Sequence, residues 1–167
     1  NVLLNAGYSR SVLGQSLAAA SITNRLQAIS ALPLLNSADF ETGVGFRLTG
    51  ATTFPRAMAF GAAGDDRLAF EAGRITAREG RALGIHVNFA PVADVNNNPR
   101  NPVINTRSFG EDPAAVGTLA AAYVRGLTEG GMLATLKHFP GHGDTDTDSH
   151  LGLPLISHPR SRLDRVE

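Results

Sequence analysis

The sequence predicts an α/β fold in which parallel strands alternate with helices. Short, evenly apolar runs recur along the chain, and each opens into a polar loop rich in glycine or proline. Between them, apolar residues recur at helical spacing, and the connections are long enough for right-handed parallel crossovers.

The elements follow in chain order. Residues 2–4 read as a first strand, and Ile22, Leu26 and Ile29 mark a helix that runs toward Pro33. Residues 32–35 read as the next strand. Leu68, Ala72, Ile75 and Leu83 give a second helix, opened by Asp65-Asp66 and closed at Gly84. Residues 85–90 form a third run. A helix is expected over residues 113–129, where Val116, Leu119, Ala120, Tyr123, Val124 and Leu127 share a face; Asp112 and Pro113 make its N-cap and first position, and Gly130-Gly131 ends it. Residues 132–136 form a last strand, and residues 163–167 read as the opening of another helix. The strands are expected to be buried. A closed barrel needs eight βα units in about 250 residues, so the pattern fits either a small open sheet or part of a barrel.

Composition narrows the function classes. The 15 Lys+Arg balance 15 Asp+Glu, so no polyanion-binding surface follows, and the aromatic content of 6% without a basic stripe argues against nucleic acid. No apolar run approaches the roughly 20 residues that cross a bilayer. The first residues lack a basic segment followed by an apolar one, so neither a membrane span nor a leader is expected. With no cysteine there is no disulfide framework and no thiolate metal site.

Polar residues gather just after the expected strands: Asp39, Glu41, Asp94, Arg107, Lys137, His138, His142, Asp148 and His150. In parallel α/β folds ligands bind at the carboxyl ends of strands, which brings these residues to one face. The segment KHFPGHGDTDTDSH, residues 137–150, is the most informative. Lys137 and His138 directly follow a strand, where donors suit hydroxyls. Asp148 and His150 are two apart, a spacing at which the carboxylate accepts the imidazole N–H and fixes its tautomer, as a general acid and base requires. A metal hydrolase would want the tight helical spacing of HExxH, which is absent. Asp144, Asp146 and Asp148 resemble the start of a calcium loop, but its glycine and terminal glutamate do not follow.

Residues 88–113, NFAPVADVNNNPRNPVINTRSFGEDP, form a long loop whose asparagines and prolines argue for an ordered, hydrogen-bonded path. Asp94 is expected to anchor it, and Arg107 supplies a fixed positive charge for hydroxyl or carboxylate oxygens. In residues 38–55, Asp39 can accept two sugar hydroxyls and Arg47 is expected to pair with a nearby acid. G-x-G-x-x-G, G-x-x-x-x-G-K-[ST] and G-x-S-x-G are all missing.

KHFPGHG followed by DSH, together with the 39–55 and 88–113 segments in order, resembles family 3 of the glycoside hydrolases, in particular its β-N-acetylglucosaminidase branch. The resemblance implies that residues 1–167 are a fragment of one N-terminal catalytic domain, a partial (β/α)8 TIM-type barrel. It implies that Asp39, Arg107, Lys137 and His138 hold the hydroxyls of the sugar at the cleavage point. It further implies that His150 is the general acid and base with Asp148 as its partner, in place of the usual carboxylic acid. The expected substrate is a glycan or muropeptide containing N-acetylglucosamine, with no cofactor and no metal. Relatives of this type act in cell-wall recycling or glycan breakdown, and the reading leans to the periplasm or exterior. Two departures stand out. Residues 39–43 read D-F-E-T-G where the family commonly has D-x-E-G-G, and no position matches the family's nucleophilic aspartate, which is expected outside this chain. A β-glucosidase or phosphorylase of the same family and a non-catalytic sugar-binding module are the alternatives.

Overall fold

The computed structural model describes residues 14–167, so the strand expected at residues 2–4 lies outside the described residues. In order, the chain forms β1 (Gly14–Gln15), α1 (Ser16–Ile29), β2 (Ser37–Ala38), β3 (Leu48–Thr49), α2 (Ala57–Ala63), α3 (Asp66–Ala82), β4 (Val87–Asn88), α4 (Pro113–Glu129), β5 (Leu133–Ala134) and α5 (Arg160–Val166). Strands β2, β4 and β5 make one parallel sheet in that order, with Ala38 opposite Asn88 and Asn88 opposite Ala134; β1 and β3 pair in parallel separately. Backbone bonds from Lys137 N to Pro91 O and from Ala93 N to Lys137 O carry the β4–β5 ladder onward to the residues that follow both strands.

The helices at 66–82 and 113–129 start where the sequence places them. Asp65 accepts a hydrogen bond from Arg67 N and Asp112 one from Ala115 N, the capping that their short polar side chains favour. What packs between these helices is smaller than the expected stripe. The buried face of α3 is Ala69, Ala72, Gly73, Thr76, Ala77 and Gly80, while Leu68 is half-exposed. Small residues let the two backbones touch: a Cβ on Gly126 would lie 2.0 Å from Phe70 O.

Three expectations are corrected. The run at 32–35 is not a strand, and Leu32 and Leu35 are exposed. Pro33 lacks an N–H, and the Gln27 side chain satisfies Leu34 on both sides (Nε2 to Leu34 O 2.8 Å, Leu34 N to Oε1 3.0 Å), so sheet pairing begins only at Asn36. Helix α1 is present, yet it buries Ala19 and Thr23 rather than Ile22 and Ile29, because Thr23 Oγ1 donates to Leu83 O at 2.7 Å and draws that face inward. On β5, Leu133 is exposed, as is Leu136 just beyond it, because alternation turns Met132 into the core and Leu133 away from it. Phe40, Val44, Leu48, Ile85, Leu127 and Met132 form the centre of the core. Among the described residues no helix is long and apolar enough to cross a membrane.

Candidate active site

Because β2, β4 and β5 run parallel, the residues after them emerge at one edge: Asp39 to Glu41 after β2, the loop to Asp94 after β4, and Lys137 with His138 after β5. Phe40 is fully buried between two acids, so alternation sends Asp39 and Glu41 the opposite way from it. Lys137 Nζ reaches both, 3.0 Å from Asp39 Oδ1 and 2.8 Å from Glu41 Oε1. Arg107 takes Glu41 in a two-pronged grip, Nε to Oε2 at 3.1 Å and Nη2 to Oε1 at 2.8 Å. Arg47 pairs with Asp39 at 3.6 Å, as the sequence suggests.

Burial pushes the Glu41 carboxyl up, but the Arg107 hydrogen bonds and the Lys137 charge outweigh it and hold the group at about 2. Glu41 is therefore a fixed anion that sets the two cations in place. Thr42 is buried, and its carbonyl accepts from Phe54 N at 2.8 Å. The position that requires glycine is Gly43: its φ is 88°, and a Cβ there would lie 2.6 Å from Thr52 O.

Asp94 is the second organising acid. Its buried carboxylate accepts His138 Nδ1–H at 2.6 Å, His138 N at 3.1 Å and His142 N at 2.7 Å. Burial acts to raise its pKa, and these hydrogen bonds, the His138 ring first, keep it below the ordinary carboxylate value. A carboxylate accepts only, so His138 carries its proton on Nδ1 and turns the Nε2 lone pair toward Arg107 Nη2, 3.4 Å away. Asp94 does anchor, as expected. What it anchors is the segment after β5 as well as its own loop, which is further held by Asn101 Nδ2 donating to His142 O at 2.6 Å.

Asp39, Arg107, Lys137 and His138 thus come together in one connected polar cluster, with Glu41 and Asp94 between them. Asp148 and His150 are joined to each other in a loop beyond it: His150 Nδ1 lies 2.7 Å from Asp148 Oδ1, which also accepts His150 N at 2.8 Å. The backbone N–H first, then the ring, holds the Asp148 carboxyl below its usual value. The Asp148 carboxylate, which can only accept, places a proton on Nδ1 of His150. The loop is linked to the cluster through His142, whose Nε2 lies 3.1 Å from Ser149 Oγ.

The sequence offers Glu41 only as one of the acids after a strand, and the structure has it holding both Arg107 and Lys137. Its two-residue spacing from Asp39 across an apolar residue is the sequence signal that finds it. The metal alternatives meet a different arrangement. Asp144 pairs with His158 at 2.6 Å and Asp148 with His150, and among the described residues no three His, Asp or Glu converge as a ligand set.

The glycosyl hydrolase family 3 N-terminal domain matches residues 2–167. β-Hexosaminidase A of Pseudoalteromonas piscicida is 44% identical over 157 residues, which cover 88% of this chain and 26% of that protein. A β-N-acetylglucosaminidase/β-glucosidase of Cellulomonas fimi is 42% identical over 134 residues, covering 80% of this chain and 24% of the relative. The structure of a glycoside hydrolase family 3 β-N-acetylglucosaminidase from Paenibacillus sp. str. FPU-7 superposes with a TM-score of 0.88 at 50% identity, over 95% of this chain and 31% of that one. The chain spans about a quarter of the length of these curated relatives. Its α/β architecture is accordingly a partial (β/α)8-type barrel.

Proposed function

The chain belongs to glycosyl hydrolase family 3, and on that premise we propose that the protein carrying it hydrolyses terminal β-N-acetylglucosaminides with retention of configuration. Residues 1–167 are read as part of one N-terminal catalytic domain. Asp39, Arg107, Lys137 and His138 hold the hydroxyls of the sugar at the cleaved bond. Lys137 and Arg107 donate, Asp39 accepts, and the half-buried Glu41 and buried Asp94 keep those groups aimed.

His150 gives its Nε2 proton to the leaving oxygen while an aspartate outside this chain attacks the anomeric carbon. The glycosyl-enzyme ester is then opened by water, which passes its proton back to His150. Asp148 holds the imidazole by Nδ1 and stabilises its charged form. Glu41 and Asp94 make poor nucleophiles, because their lone pairs are already engaged by Arg107 and Lys137 and by His138 and His142. The relatives named for N-acetylglucosaminide or hexosaminide cleavage support the substrate class.

The observation that carries the reading is the Asp148–His150 pair, bonded at 2.7 Å beside a cluster suited to polyhydroxylated ligands. A β-glucosidase or phosphorylase using only the cluster gives that pair no work. The test is His150→Ala in the full-length protein. Its kcat/KM on alkyl or oligosaccharide N-acetyl-β-glucosaminides is expected to fall by about 10² to 10⁴, with a much smaller loss on activated aryl glycosides. Equal losses on both classes would remove His150 as the acid.

A further inference from the structure

The loop that bears the acid and base is attached at more than one point. Its roots are closed by His158 Nε2 on Asp144 Oδ2 at 2.6 Å, with Arg162 Nη2 3.7 Å from the same oxygen. Nearer its tip, Ser149, the residue between Asp148 and His150, lies 3.1 Å through Oγ from His142 Nε2.

His142 is held on both ring nitrogens. Nδ1 lies against Thr145 Oγ1, which also bonds His142 O at 3.0 Å and accepts from Asn101 Nδ2 at 3.3 Å. Nε2 bonds Ser149 Oγ. His142 is buried, its backbone N–H is on Asp94, and its ring packs edge-on against His138 with centroids 5.8 Å apart. One carboxylate thus fixes both the sugar-facing His138 and the partner of Ser149.

Resting on the function proposed above, we propose that Ser149 is a positioning residue for His150. Its hydroxyl, held by the His142 ring, keeps the Asp148–His150 pair in register with the sugar-holding cluster. Asp148 orients the imidazole within the loop, and Ser149 orients the loop against the site. The residue works through His150 and makes no contact of its own with the glycan.

The experiment compares Ser149→Ala, Ser149→Thr, His150→Ala and the Ser149→Ala/His150→Ala double variant of the full-length protein. The substrates are N-acetyl-β-glucosaminides with leaving groups from dinitrophenol to a second sugar. Ser149 is exposed, so the alanine variant has no core to disturb. Loss of one positioning hydrogen bond is expected to lower kcat about three- to tenfold on the poorest leaving groups. KM and the rate on the dinitrophenyl substrate are expected to stay at wild-type values. Ser149→Thr restores the rate, and Ser149→Ala adds nothing once His150 is gone. A loss uniform across leaving groups, or one that persists in the His150→Ala background, would overturn the positioning role while the proposed function stands. If His150→Ala itself shows no dependence on the leaving group, both fall.

Discussion

Glu41 keeps its charge in a place where burial alone would remove it, because Arg107 and Lys137 each bond to it directly. That pairing ties stability to pH. The carboxyl titrates at about 2 in the fold against 4.5 in the unfolded chain, so the folded state binds the proton less readily. Its contribution, on the order of 3 kcal/mol, is fully present above pH about 4.5 and is lost as pH falls toward 2. Glu41→Gln is expected to lower stability at neutral pH by a similar amount, since it leaves Arg107 without its carboxylate partner and Lys137 with Asp39 alone. It is also expected to flatten the acid limb of a plot of thermal midpoint against pH in the full-length protein. An acid limb as steep as wild type would mean that Glu41 is not the group that sets it. The sequence offers Asp94 only as an anchor of its own loop and leaves Glu41 without a role, because what each holds lies far along the chain: Arg107 is 66 residues from Glu41, and His138 is 44 from Asp94. The Asp148–His150 pair was legible because both partners and their hydrogen bond fall within one turn of backbone.

Helices α3 and α4 meet through backbone rather than through large side chains. Gly126→Ala would drive its methyl into Phe70 O, 2.0 Å away, and Gly73→Ala would meet Tyr123 O at 2.3 Å. Each is expected to cost about 3 kcal/mol, at the upper end for overpacking. Gly117 gives the contrast on the same helix, since a Cβ there meets nothing within 4 Å. Gly117→Ala is expected to stabilise by about 0.5 to 1 kcal/mol, and thermal unfolding of the variants checks the opposite signs. Caps and lengths of these helices could be read from Asp65, Asp112 and Pro113, which act on their neighbours. The buried stripe could not, because alanine and glycine leave a weak apolar signal and the approach that makes them necessary is tertiary. The missed strand at 37–38 has the same origin. Leucines at 32 and 35 mimic a buried run, while Gln27 on the preceding helix takes the backbone that a sheet would have used.

At the scale of the whole molecule, a parallel sheet delivers acids, cations and histidines from three chain segments to one edge, and the loop that carries the Asp148–His150 pair is tied to them through Ser149 and His142. We propose that this pairing of a hydroxyl-holding cluster with a histidine acid serves acetamido sugars. The direct measurement is kcat/KM of the full-length protein on aryl N-acetyl-β-glucosaminide against the matching aryl β-glucoside. A strong preference for the acetamido sugar is expected, with selectivity of at least about a hundredfold, or roughly 3 kcal/mol in transition-state binding. Preference for the glucoside would contradict it.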